Sequence, residues 1–104
     1  MDQQTKVDIR RDVKLKKPSE YAVIIWNDDI TTMEFVVNVL TKIFHKKPQD
    51  AAALMMEVHE NGQGIAGVYT YDIAVSKKAR TDAMSAEKNF PLKLTLKEID
   101  DEDR

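Results

Sequence analysis

At 104 residues, 42% of them hydrophobic and 33% charged, the chain suits one small globule with a single modest core, more a binding module than a large-pocket enzyme. Sixteen basic residues against eighteen acidic leave a net charge of -2, a poor basis for nucleic-acid binding, and the lack of cysteine excludes disulfides, thiolate metal sites and cysteine nucleophiles. No apolar run approaches the roughly 18–20 residues of a membrane span, and Met1-Asp2-Gln3-Gln4 does not open a signal peptide. The expected compartment is the cytosol.

Residues 1–17 read as a flexible N-terminal extension in which acidic and basic residues mix. Val7, Ile9, Val13 and Leu15 alternate there, so a short strand is the competing reading. Pro18-Ser19 then punctuates the chain. Tyr21 to Trp26 is aromatic and β-branched, the composition of a buried strand. It runs into Asn27-Asp28-Asp29, short polar side chains that favour a turn. Thr31 and Glu34 match a capping box that starts a helix, along which Met33, Val36, Val37, Leu40, Ile43 and Phe44 form an apolar stripe. Pro48 suits an early position of a second helix with Ala51, Leu54, Met55 and Val58 on its inner face, ended by Asn61-Gly62. Gly62, Gly64 and Gly67 predict a turn feeding a short strand around Val68 and Tyr69. Asp72 is a candidate cap for a third helix that runs through Ile73, Ala79, Ala83 and Met84 to about Lys88. Leu92 to Leu96 alternates as a half-buried strand, and 98–104 reads as a solvated acidic end. The order β-α-α-β-α-β implies an α+β fold, a small three-stranded antiparallel sheet packed against three helices over residues 18–97.

Three features invite a functional reading. Asp28 and Asp29 stand between a strand and a helix, where loops present functional groups, although pattern alone favours a capping carboxylate beside a solvated neighbour. His59 closes the second helix, where the helix dipole alone favours it. Met33, Met55 and Met56 suit core filling or an adaptable apolar pocket. Two histidines without His-Glu-x-x-His or a calcium-loop pattern give no metal site, and no cofactor is expected.

The segment Val23 to Val36 contains Asn27-Asp28-Asp29-Ile30-Thr31-Thr32-Met33-Glu34-Phe35-Val36 and resembles the V-N-D-D-x-T-P-M-E-F-V signature of the ClpS family, adaptors of the bacterial Clp protease. Leu54 to Gly62, including Met55, Val58 and His59, resembles the family's second motif. Gly67-Val68-Tyr69-Thr70 keeps the register, and Phe90 to Leu96 is similar to its final strand. The resemblance implies a three-stranded sheet with three helices and a non-catalytic activity. Substrates beginning with Leu, Phe, Tyr or Trp (N-degrons) would be bound by an adaptor that is monomeric when free, then handed to an AAA+ unfoldase, ClpA or ClpC. It further implies that Asn27, Asp28 and His59 hold the substrate's α-amino group. Thr31, Met33, Met55, Val58 and Leu92 would wall the side-chain pocket, with Asp29 at its entrance and Met33 as the gatekeeper against β-branched residues. The N-terminal extension and the start of the third helix, with Asp72 and Lys77, would engage the unfoldase. Thr32 stands where the family usually has proline, Asp72 where glutamate is usual and Val75 where a second glutamate is frequent, which leaves ClpA and ClpC both open.

Two other classes compete. One is a structural interaction domain of similar fold, like the C-terminal domain of the ribosomal stalk protein, which would bind no N-degron. The other is a small metal-dependent hydrolase built on Asp28, Asp29 and His59.

Overall fold

A computed structural model describes residues 18–99. The expectations for residues 1–17 and for the acidic residues from Asp100 onward lie outside this range. Three strands, β1 (Glu20–Trp26), β2 (Gln63–Thr70) and β3 (Lys93–Ile99), and three helices, α1 (Met33–Lys42), α2 (Pro48–Asn61) and α3 (Tyr71–Lys88), follow in the order β-α-α-β-α-β. The sheet order is β2-β1-β3 with both pairs antiparallel, so the expected α+β architecture is the one observed. Among the described residues no helix is long and apolar enough to cross a membrane.

β1 is central because its inward positions are the most apolar. Val23 and Ile25 are fully buried and pair with Leu96 and Leu94 of β3 on the face that receives the helices. Antiparallel sheets of this size cover one face and leave the other to solvent. The outward face carries Ile24 and Trp26, and Trp26 Nε1 donates to Thr95 Oγ1 at 2.8 Å. The register between β1 and β2 shifts at Val23/Ile24, where Ala66 is the extra, buried residue of a bulge.

α1 supplies the densest packing, burying Phe35, Val36, Val39 and Leu40 as its stripe predicts. Its start differs from the expected capping box. Thr32, not Thr31, is the N-cap, and its hydroxyl accepts from Phe35 N at 3.1 Å. The N–H and hydroxyl of Thr31 are already engaged by Asp28, so the helix begins one residue later. α2 begins at Pro48 as expected and ends at Gly62, whose φ of 90° is the left-handed conformation that only glycine adopts without penalty.

Other expectations are corrected. Gly64 and Gly67 lie within an eight-residue strand, not in a turn. At Gly64 the reason is close approach, because a Cβ there would stand 2.9 Å from Val58 Cγ2 and 3.1 Å from Leu54 Cδ1. Asp72 does not cap α3. Thr70 occupies that position without a side-chain bond, and Asp72 sits in the first turn, where the dipole favours a carboxylate. α3 buries Ala74, Thr81 and Ser85, while Ile73, Ala79 and Ala83 face outward. The hydroxyls of Thr81 and Ser85 bond back to the carbonyls of Lys77 and Thr81, so small polar residues enter the core with their bonds satisfied. β3 begins at Lys93 and continues through Ile99, where the expected strand was Leu92 to Leu96 within a core ending at 97.

Candidate functional site

The central strand delivers the chain directly to the site. After Trp26 the backbone N–H of Asn27 donates to Gly62 O at 2.9 Å, tying the exit of β1 to the end of α2. The glycine cap makes this possible, since its own N–H returns to Val58 O at 2.8 Å and leaves its carbonyl turned outward from the helix. His59, in the last turn of α2, is thereby held beside residues some thirty positions earlier in the chain.

Asp28 organises the loop that follows. Its Oδ1 accepts from Ile30 N at 2.8 Å and from Thr31 N at 2.6 Å, and its Oδ2 accepts from Thr31 Oγ1 at 2.8 Å. Three of about four lone-pair positions are therefore spent inside the loop, leaving one on Oδ2. Partial burial pushes the carboxyl pKa up, but the bonds from Thr31 N, Thr31 Oγ1 and Ile30 N outweigh it and hold the value below the ordinary 3.8. Asp28 is thus an anion throughout the neutral range.

Between this loop, α1 and α2 lies a hollow of about 190 Å³. Its rim is polar, made by Asn27, Asp28, Asp29, Thr31 and His59, and its walls are apolar, made by Met33, Val36, Met55 and Val58. Val58 and Val36 are buried and form the depth of the hollow, whereas Met33 is 45% exposed and stands at the mouth. A larger groove of about 550 Å³ runs along the other flank of α1, past Thr32, Phe35, Thr41 and Phe90. It also carries Glu34 and Lys88, but of the residues expected to bind a ligand none lines it, whereas the smaller hollow gathers Asn27, Asp28 and His59 over apolar walls.

Eight of the nine residues expected to bind a ligand meet here: Asn27, Asp28, Asp29, Thr31, Met33, Met55, Val58 and His59. The ninth, Leu92, does not line the hollow. It precedes β3 and is buried in the main core at 6% exposure. Val36 lines it instead, and its spacing of three from Met33 placed both on one helix face. Asp72 and Lys77 lie apart on α3. Asp72 is exposed, while the Lys77 ammonium turns inward to Ile43 O at 2.7 Å. Among the described residues no three His, Cys, Asp or Glu side chains group closely enough to hold a metal ion.

Residues 16–95 match the family model of the ATP-dependent Clp protease adaptor protein ClpS. This chain belongs to the ClpS family. ClpS relatives include the adaptor of Acetivibrio thermocellus, 51% identical over 88% of this chain and 93% of that protein. The adaptor of Clostridium acetobutylicum is 46% identical over 88% and 91%, respectively. Among solved structures, Agrobacterium tumefaciens ClpS2 bound to L-phenylalaninamide superposes with a TM-score of 0.77 at 32% identity, covering 80% of this chain and all of the other. The family membership places the chain among adaptors of a protease, in protein degradation, and sets aside the ribosomal-stalk and hydrolase readings. The ClpS signature coincides with the loop and helix start that frame the hollow.

Proposed function

We propose that the hollow receives the first residue of proteins that begin with Leu, Phe, Tyr or Trp, and that the chain delivers them to an AAA+ Clp unfoldase, ClpA or ClpC. The observation that carries this reading is an apolar well of about 190 Å³ opening under a rim that holds Asn27, Asp28 and His59. A void of about 150 Å³ already accommodates benzene, so the well has room for a phenyl or isobutyl group. The ligand of the Agrobacterium relative has the matching chemistry: a free amine, a benzyl side chain and an amide where a peptide would continue.

The energetics require both anchors. A free α-amine has a pKa of about 7.7–8.0 and is largely cationic at neutral pH, whereas an internal peptide nitrogen has neither the charge nor the extra hydrogens. A charge-assisted hydrogen bond contributes about 1.5–3 kcal/mol and burial of a Leu or Phe side chain a similar amount. Association costs about 4 kcal/mol or more, so neither anchor suffices alone. Asn27 and His59 provide acceptors, Asp28 the negative charge, and Met33 at the mouth crowds the β-carbon of the bound residue. The exposed first turn of α3, with Asp72, is offered for docking on the unfoldase, and the sequence before residue 18 for its engagement.

Fluorescence anisotropy with a series of labelled peptides tests the reading. Peptides beginning with Leu, Phe, Tyr or Trp bind, those beginning with Val or Ile bind weakly, and N-acetylation abolishes binding. An acetylated Leu peptide that binds like the free one overturns the assignment.

A further inference from the structure

The segment joining α1 to α2, residues 43–47, packs Ile43 and Phe44 into the core and takes a hydrogen bond from a side chain of α3. Lys77 Nζ donates to Ile43 O at 2.7 Å and stands 5.8 Å from the centre of the Phe44 ring and 5.2 Å from that of Tyr69. Ile43 is the C-cap of α1 and is buried with Phe44, so its carbonyl lies where water does not reach freely. Two of the preceding carbonyls at this end are satisfied within the chain: Val39 O accepts from Ile43 N and Leu40 O from Lys46 N. Lys77 therefore supplies the donor that the helix end lacks, at the negative pole of its dipole. Burial, with Arg80 nearby, lowers the ammonium's pKa from its ordinary 10.5, the sign of a charge drawn partly out of water.

Resting on the function proposed above, we propose that Lys77 is a positioning residue for the hollow, fixing the closed end of the α1–α2 hairpin whose open end forms the two apolar walls. Met33 and Val36 lie at the far end of α1 and Met55, Val58 and His59 at the far end of α2. The ten residues from Ile43 back to Met33 make a lever of about 15 Å, so a 5° change at the turn displaces the mouth by about 1.3 Å. Displacements of that size weaken sites that depend on several groups converging. His45, at a φ of 59°, shows how tightly this turn is bent, and while the far end of α2 is tied to β1 by Asn27 N to Gly62 O, Lys77 acts at the other end.

The test compares Lys77→Met, which keeps the apolar stem and removes the ammonium, with Lys77→Arg, which keeps a donor and a charge. Each is read by affinity for a Leu-initiated peptide, by the ¹³C-methyl shifts of Met33 and Met55, and by binding to the unfoldase's isolated N-terminal domain. Lys77→Met is expected to weaken the peptide about tenfold and to move both methyl signals, with Lys77→Arg restoring most of the loss. Unchanged peptide affinity and methyl shifts overturn the proposal, whether the variant loses only thermal stability or loses only the unfoldase domain. If the unaltered chain binds no N-degron peptide, the function proposed above fails, and the methyl shifts still decide whether Lys77 sets the hairpin. Should Lys77→Met not fold, the unaltered chain answers: a slowly exchanging ammonium ¹⁵N signal for Lys77 supports the pin, and one exchanging as freely as an exposed lysine overturns it.

Discussion

Replacing Asp28 by asparagine separates the loop bonds that its carboxylate makes from the amine-binding role proposed for it. The Asn Oδ1 still accepts from Ile30 N and Thr31 N, the two bonds of 2.8 and 2.6 Å that shape the loop, and its amide nitrogen can donate to the Thr31 hydroxyl. The loop therefore persists while the negative charge disappears. With Oδ1 filled by those bonds, the remaining position is an amide N–H donor facing the ammonium, so the whole charge-assisted bond of about 1.5–3 kcal/mol is lost. That loss corresponds to roughly 10- to 150-fold weaker binding of a Leu-initiated peptide in fluorescence anisotropy. Parent affinity also falls as pH rises through about 8, where the substrate amine loses its proton, and the fall is shallower in the variant. Asp28→Ala costs more, since the loop bonds go as well. Equal affinity of Asp28→Asn and parent, with identical pH profiles, refutes the electrostatic role. At the acid end the sign is fixed by the lowered pKa of Asp28. Its loop bonds are at full strength above the unfolded value of 3.8 and are lost as pH falls through the lower folded-state value, so the thermal midpoints of parent and Asp28→Ala converge there.

Met33→Ala removes the thioether at the mouth of the hollow and is expected to admit Val- and Ile-initiated peptides; a ligand series unchanged from the parent, measured by the same anisotropy assay, rejects the gatekeeper role. Gly64→Ala forces a Cβ to 2.9 Å from Val58 Cγ2 and is expected to cost about 1–3 kcal/mol by denaturant unfolding, with weakened peptide binding because Val58 lines the well. A neutral substitution at Gly64 shows that the strand and α2 separate more easily than their packing implies.

Much of this was legible in the sequence, and the failures have local causes. The α1 stripe and β1 were readable because periodicity reports burial directly. The helix start was displaced by one residue because Thr31 and Thr32 are equivalent to a pattern and become distinct only when Asp28 claims the first. α3 misled for a similar reason: its inward positions are Ala74, Thr81 and Ser85, small and partly polar, while Ile73 and Val75 face outward. Periodicity counts hydrophobicity, and here hydroxyls bonded to their own helix replaced it. The site was visible as separate motifs, and its convergence was carried by one backbone bond, Asn27 N to Gly62 O, that no side-chain pattern encodes. Leu92 was assigned to the wall through family resemblance, yet it fills the core, and Val36 takes a place in the lining.

The single lone pair that Asp28 keeps in reserve sets an arithmetic for the guest. On the function proposed here, one acceptor each from Asn27 and His59 brings the rim to three positions, one for each hydrogen of a primary ammonium. A leading proline brings only two and bends its own ring away from the well. The proposed function thus predicts selection by hydrogen count in addition to bulk, and competition by a Pro-initiated peptide equal to that by a Leu-initiated one contradicts it.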